Sequence, residues 1–406
     1  MKRRREMMER EIQQIKKPGF LRALLLGCFM VVVNVEAQAP SSFLYHFNKE
    51  RGFFFDTEEF ENTVFFTDQK SLFSACELSV NYVAICDVST GQRFYAKRSE
   101  LEEIPVDPGK FSWKLKIIDV KGSIIDMFFA ERSLGLAEQG YHPLMWIEGL
   151  EKSNVVKLHF FGVIPSVQFS THNLQVNAPV VVGWQNAGGE QSIVQIQSSK
   201  IFGLKTLWEN AGKLRVEIVQ KIEKTQPVVI DAGHGGAEYG THIDSIMEKE
   251  LVLKAALRLK KYLESNALNV LLVRQDDKQL SLSERLFYAE SQNAALFLSL
   301  HVDNWVHSVA FDRIPVGLSC YYQQFLSASF ASTLCQGIKE KGYAVAWAAR
   351  RSMYVLSSLA YPSVLLELGN LADPGDKQML LDEYRFKAYV EKIGREILDF
   401  VKENEN

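Results

Sequence analysis

Four side chains are best placed to do chemistry together: His234, Glu248, His301 and Glu367. Two imidazoles and one carboxylate make a sound zinc shell, and three protein ligands leave a fourth position for water, as a catalytic site requires. A metal so held lowers the pKa of water from about 16 to about 7, giving a hydroxide nucleophile near neutral pH. A second carboxylate outside the shell can take that water's proton and hand it to a leaving group. Each residue also has an ordinary reading. Ser245 and Glu248 have the spacing of a helix capping box, so Glu248 is either cap or ligand. His301 is either a satisfied core histidine or a ligand. Glu367 is harder to explain structurally, because a glutamate after Val364-Leu365-Leu366 is costly to bury unless paired or functional. Asp231 either orients a histidine as an acceptor or caps a turn. Gly233, Gly235 and Gly236 suit a tight turn that brings backbone near a ligand. They do not form GxGxxG, which excludes a dinucleotide site.

These residues fall where an α/β sheet would gather them. Strands are predicted at 227–231, 270–274, 295–300, 318–322 and 363–367, and helices at 251–266, 281–292, 327–341 and 383–403. Strands alternating with helices predict an open, mostly parallel sheet flanked by helices. His234 lies just past the first strand, while His301 and Glu367 end two others. Such sheets bind ligands beyond the carboxyl ends of their strands, so residues distant in sequence converge on one crevice.

Upstream the pattern is different. From about 41 to 219 the chain reads as β, with short apolar or alternating runs at 63–67, 78–88, 111–120, 155–163, 180–184, 192–197 and 214–219. Turn residues such as Asp107-Pro108-Gly109 separate them. No catalytic constellation occurs here; His46, His142, His159 and His172 share no spacing and read as surface or core residues. The polar stretch 221–226 reads as a linker. The predicted organisation is residues 1–39 as a signal peptide or N-terminal anchor, 40–220 as a β-rich non-catalytic domain with wall targeting as its candidate role, and 227–406 as the catalytic domain.

The 406 residues carry 46 Lys and Arg against 49 Asp and Glu, a net charge of −3, without the basic excess usual in a nucleic-acid binder. The basic N-terminus, the short apolar run Ala23–Val33 and the Ala37-Gln38-Ala39 site resemble an export signal. Export to the periplasm or cell wall follows, with membrane association through the N-terminus if the segment is retained. In an oxidising compartment Cys76 can pair with Cys86, and Cys320 with Cys335; the alternative is four buried free thiols.

Residues 227–403 resemble the zinc-dependent N-acetylmuramoyl-L-alanine amidases of the amidase-3 type. The resemblance rests on VVIDAGHGG (228–236), MEKELVLKAALRLKKYL (247–263), VLLVRQDD (270–277), LSERLFYAE (282–290), LFLSLHVD (296–303) and PSVLLELGNLADPGD (362–376), in the family's order. It implies one Zn2+ per chain held by His234, Glu248 and His301, with Glu367 as the catalytic carboxylate and peptidoglycan as the substrate. It implies hydrolysis of the amide between the lactyl group of N-acetylmuramic acid and L-alanine. Arg285 matches a family arginine of structural or supporting role. Departures are Ala232 in place of proline, Asp303 in place of asparagine, and Gly369-Asn370-Leu371-Ala372-Asp373 after the glutamate, which alters the cleft wall. The stretch 302–361 is too short for the large blocking insertion of some relatives, so regulation by such a plug is not expected, and no activator is identified. Two other readings compete. A different zinc hydrolase of exopeptidase type would use more carboxylates and often two metals; a non-catalytic wall-binding protein would not need Glu367.

Overall fold

The structure is a computed structural model that describes residues 43–49, 51–59, 63–106, 112–131, 135–149, 154–165, 180–188, 191–210, 212–304 and 315–405. The leader at 1–39, Pro108, Gly109 and His172 lie outside these residues. No helix among them is long and apolar enough to cross a membrane.

Among the described residues, four sheets make up the β-rich part. Alternation builds them, as in Lys213–Val219, where Leu214, Val216 and Ile218 point inward and the intervening residues do not. One core gathers Phe47, Phe54, Phe73, Phe94 and Trp146. A second gathers Trp113, Met127, Leu158, Phe160, Ile196 and Val216. The run at 78–88 is not one strand: Glu77–Leu78 and Tyr82–Cys86 pair antiparallel, and Val80, 89% exposed, sits at the turn between them. Cys76 is bonded to Cys86 and Cys320 to Cys335. His142 is buried against Asp68 at 3.1 Å, and His159 lies between Asp87 and Glu148 at 3.0 Å each.

The C-terminal part is α/β. Its elements are β1 (Val228–Ala232), α1 (Glu248–Ser265), β2 (Val270–Leu272), α2 (Leu282–Ser291), β3 (Leu296–Asp303), β4 (Leu318–Tyr322), α3 (Ala328–Glu340), β5 (Val345–Arg350), β6 (Ser363–Asn370), α4 (Pro374–Leu381) and α5 (Glu383–Asn404). The sheet order is β2-β1-β3-β6-β4-β5. All neighbours run parallel except β4 and β6, so the sheet is mixed. Helices α1, α3 and α5 cover one face through Val252, Leu259, Phe330, Leu334, Val390 and Ile397. Ala289 of α2 and the segment carrying Val355, Leu356 and Tyr361 cover the other.

The two parts belong to one unit and share packing. Phe202, from the β-rich part, is buried in the α/β core, while Phe325, from the α/β part, is buried in the second β core. The 221–226 stretch is packed rather than free: Ile222 is buried, and its N–H donates to the Asn404 carbonyl at 2.8 Å. Beside this junction the Leu204 N–H donates to the Leu359 carbonyl at 2.7 Å. A Cβ on Gly203 would collide with the Ala360 carbonyl, which is backbone and cannot swing aside. Gly203→Val is therefore expected to cost about 1–3 kcal/mol, the usual penalty of overpacking. Denaturant midpoints would show it, and an unchanged midpoint would contradict the packing described.

Candidate metal centre

The site begins where β1 ends. After Ala232 the backbone turns through His234 at φ 58°, Gly235 at 132° and Gly236 at 59°. A non-glycine residue in the left-handed region costs about 1–2 kcal/mol, so the conformation persists only when its surroundings enforce it. Three buried cations do so. Arg285 donates from Nη1 to the Ala232 carbonyl at 2.9 Å and from Nη2 to the His234 carbonyl at 2.8 Å. Arg274 donates from Nε to Ala232 O at 2.7 Å and from Nη2 to Gly233 O at 2.8 Å. Lys249 donates from Nζ to Gly236 O at 2.8 Å and to Asp277 at 2.6 Å. Gly233 itself is required, because a Cβ there would enter the His301 ring.

Glu248 opens α1. Its N-cap is Met247, without side-chain capping, so the Ser245 capping box does not form. The Glu248 carboxylate turns to the site instead. Oε2 accepts the Thr241 N–H at 2.7 Å and Oε1 accepts the Val302 N–H at 3.0 Å. The same Oε1 lies 3.2 Å from His234 Nε2 and 2.9 Å from His301 Nδ1. One ligand atom from each of His234, Glu248 and His301 falls within 4.8 Å of the others, which suits a single cation. Burial alone would raise the Glu248 pKa, but hydrogen bonds from the two imidazoles outweigh it and hold the carboxyl well below the usual range.

Glu367 stands beside this group. It lies opposite His301 in parallel register and opposite Ser319 across the antiparallel junction. Its Oε2 is buried without a hydrogen-bond partner. Burial, then the charges of Asp303 and Glu248, push its pKa well above the ordinary value, while Arg351 opposes them. An orphaned carboxylate oxygen next to two imidazoles and a carboxylate is a surrounding that a divalent cation would satisfy. The donor set of two nitrogens and one oxygen fits zinc.

Two sequence expectations resolve in one ion pair. Asp231 orients no histidine; it accepts from Arg285 Nη1 at 2.6 Å and from Ser299 Oγ at 3.0 Å. Arg285 thus supports the backbone of His234 rather than touching the metal group. Sequence reasoning missed Glu238, whose Oε1 lies 3.0 Å from His234 Nδ1 and leaves Nε2 for the site. Its signal was a carboxylate four residues past the histidine. The roles of Arg274, Lys249 and Asp277 were also missed.

The Glu367 shift fixes the sign of a pH effect. Between pH 4.5, the ordinary value, and its raised value, folded Glu367 keeps a proton that the unfolded chain has released. Stability therefore falls as pH rises through that window. Glu367→Gln is expected to stabilise the metal-free protein at pH 7 by about 1–3 kcal/mol, with the gain fading below pH 4.5. Urea midpoints in a chelator at pH 4 and pH 7 read this directly; equal midpoints for both proteins at pH 7 would refute it.

Comparison with known proteins bears on the same region. The model of the N-acetylmuramoyl-L-alanine amidase family matches residues 228–402. The chain is 32% identical over 164 residues to a probable cell wall amidase, LytH, of Staphylococcus epidermidis, covering 39% of this chain and 53% of that protein. Against LytH of Staphylococcus aureus the identity is 32% over 160 residues, covering 38% and 52%. The chain thus spans about half the length of the curated relatives it matches. Among solved structures, the catalytic domain of CwlV, an N-acetylmuramoyl-L-alanine amidase from Bacillus (Paenibacillus) polymyxa, is 29% identical over 44% of this chain and 98% of its own, with a TM-score of 0.40. The amidase AmiC2 of Nostoc punctiforme is 27% identical over 45% of this chain and 99% of its own, also with a TM-score of 0.40. The stretch that this family model matches, residues 228–402, carries His234, Glu248, His301 and Glu367.

Proposed function

We propose that the chain is an exported, zinc-dependent peptidoglycan amidase that cleaves the amide between the lactyl group of N-acetylmuramic acid and L-alanine. The observation that carries this reading is the convergence of His234, Glu248 and His301 within 4.8 Å beside the unpartnered Glu367 oxygen. His234, Glu248 and His301 would hold the ion, and Glu238 would keep the His234 ring oriented. When bound, zinc supplies Lewis acidity toward the scissile carbonyl and toward water. Glu367 accepts the proton of the attacking water as the new C–O bond forms. It then donates that proton to the alanine nitrogen as the C–N bond breaks, leaving a lactyl carboxylate and a free peptide amine. Its raised proton affinity suits the second half of that transfer. Among the described residues the three metal-ligating side chains form the single such group, which favours one ion over the paired metals of many exopeptidases. Residues 40–220, tied to the catalytic part through Phe202 and Phe325, would hold it against the wall.

Peptidoglycan incubated with the purified zinc-loaded protein should yield peptides with a free L-alanine amine, identified by mass spectrometry. Glu367→Ala should lower turnover about 10²–10⁴-fold, with zinc staying near one ion per chain by elemental analysis. Undiminished digestion by that variant, or products cut at another bond, would sink the assignment.

A further inference from the structure

Beside Glu367 stands a wall of side chains to which the reaction above assigns no task. Ser319 pairs with Glu367 and Tyr321 with Leu365, so strand alternation puts Tyr321 on the Glu367 face, two pairs along. Tyr321 is 2% exposed, and its hydroxyl accepts the Trp347 indole N–H at 2.9 Å. Arg351 follows β5. Its backbone N–H donates to the Tyr322 carbonyl at 2.8 Å. Its guanidinium lies over the Tyr321 ring, 4.8 Å from the centroid.

The electrostatic setting is lopsided. Glu248, Asp303 and Glu367 place three carboxyl groups in one neighbourhood, and Arg351 is the cation whose charge reaches both Glu367 and Tyr321. Yet among the described residues the Arg351 side chain enters no ion pair and no hydrogen bond. Arg351 as a whole is exposed. A guanidinium resting on a ring is positioned by the ring face while its donors stay available. Its planar fork matches a carboxylate with two parallel hydrogen bonds. An anionic substrate approaching these acids needs such a cation to offset their repulsion.

We propose that Arg351, propped on Tyr321, receives a carboxylate on the peptide side of the substrate and makes the enzyme select peptides whose acid is free over those in which it is a carboxamide. This rests on the amidase reading. It makes Arg351 a specificity residue, distinct from Glu367, which moves the proton. If Arg351 served only to adjust the charge on Glu367, its loss would slow both kinds of substrate alike.

The test uses the full zinc-loaded chain and two N-acetylmuramoyl tripeptides, one with the glutamate carboxylate next to the alanine free and one with it amidated. Wild type should prefer the free acid at least tenfold in kcat/KM. In Arg351→Ala the two values should converge to within threefold, and Arg351→Lys should recover part of the preference. Binding of the two released peptides, measured by calorimetry without turnover, should show the same dependence on Arg351. A wild-type preference that survives Arg351→Ala, or no preference in wild type, would overturn the proposal while leaving the amidase reading intact. Arg351-dependent binding without cleavage of either substrate would overturn the amidase reading and keep the carboxylate subsite; neither binding nor cleavage would overturn both.

Discussion

The site depends on a turn that the backbone does not favour. His234 reaches its position only in the left-handed region, and the carbonyls of Ala232, Gly233, His234 and Gly236 are each held by a buried Arg or Lys. Arg285 on α2, Lys249 on α1 and Arg274 in the loop after β2 are buried charges, and their acceptors are mainly peptide oxygens. Such bonds are charge-assisted and directional, so they set the loop more firmly than apolar packing could. Arg285 does two jobs, because the same side chain neutralises Asp231 inside the sheet. His234 is thereby coupled to the core of β1 and to α2 together.

A second constraint acts on the acids. Glu248 is kept ionised by two imidazoles and two backbone donors, whereas Glu367 has a buried oxygen with none. Two neighbouring glutamates therefore have opposite proton affinities, set by their different surroundings. The difference follows from position. Glu248 starts a helix and faces free N–H groups, while Glu367 sits within a strand whose backbone donors are already engaged in the sheet.

Much of this was legible in the sequence because buried parallel strands are written as apolar runs, and a polar residue at the end of one is conspicuous. His301 and Glu367 stood out for that reason. The strand β5 did not, since Val-Ala-Trp-Ala-Ala-Arg at a sheet edge is only half-buried and shows no clear period. Helix α4 has eight residues and little amphipathic pattern. The antiparallel turn of β4 left no trace, because pairing direction is set by tertiary packing. Ser245 was misleading: its spacing to Glu248 fits a cap, but the Thr241 and Val302 amides claim the carboxylate first. Arg274 and Lys249 could not be assigned because a carbonyl partner carries no residue identity. In the β-rich part, runs of phenylalanine blurred the alternation, and Phe43–Phe47 and Arg51–Phe55 went unread.

Phe202 and Phe325 each complete the other part's interior. Cutting the chain at 221–226 would leave a hole where one ring had been and bare the other to solvent. The α/β part is thus not a detachable module, and a fragment made by removing the β sheets would expose a sticky surface.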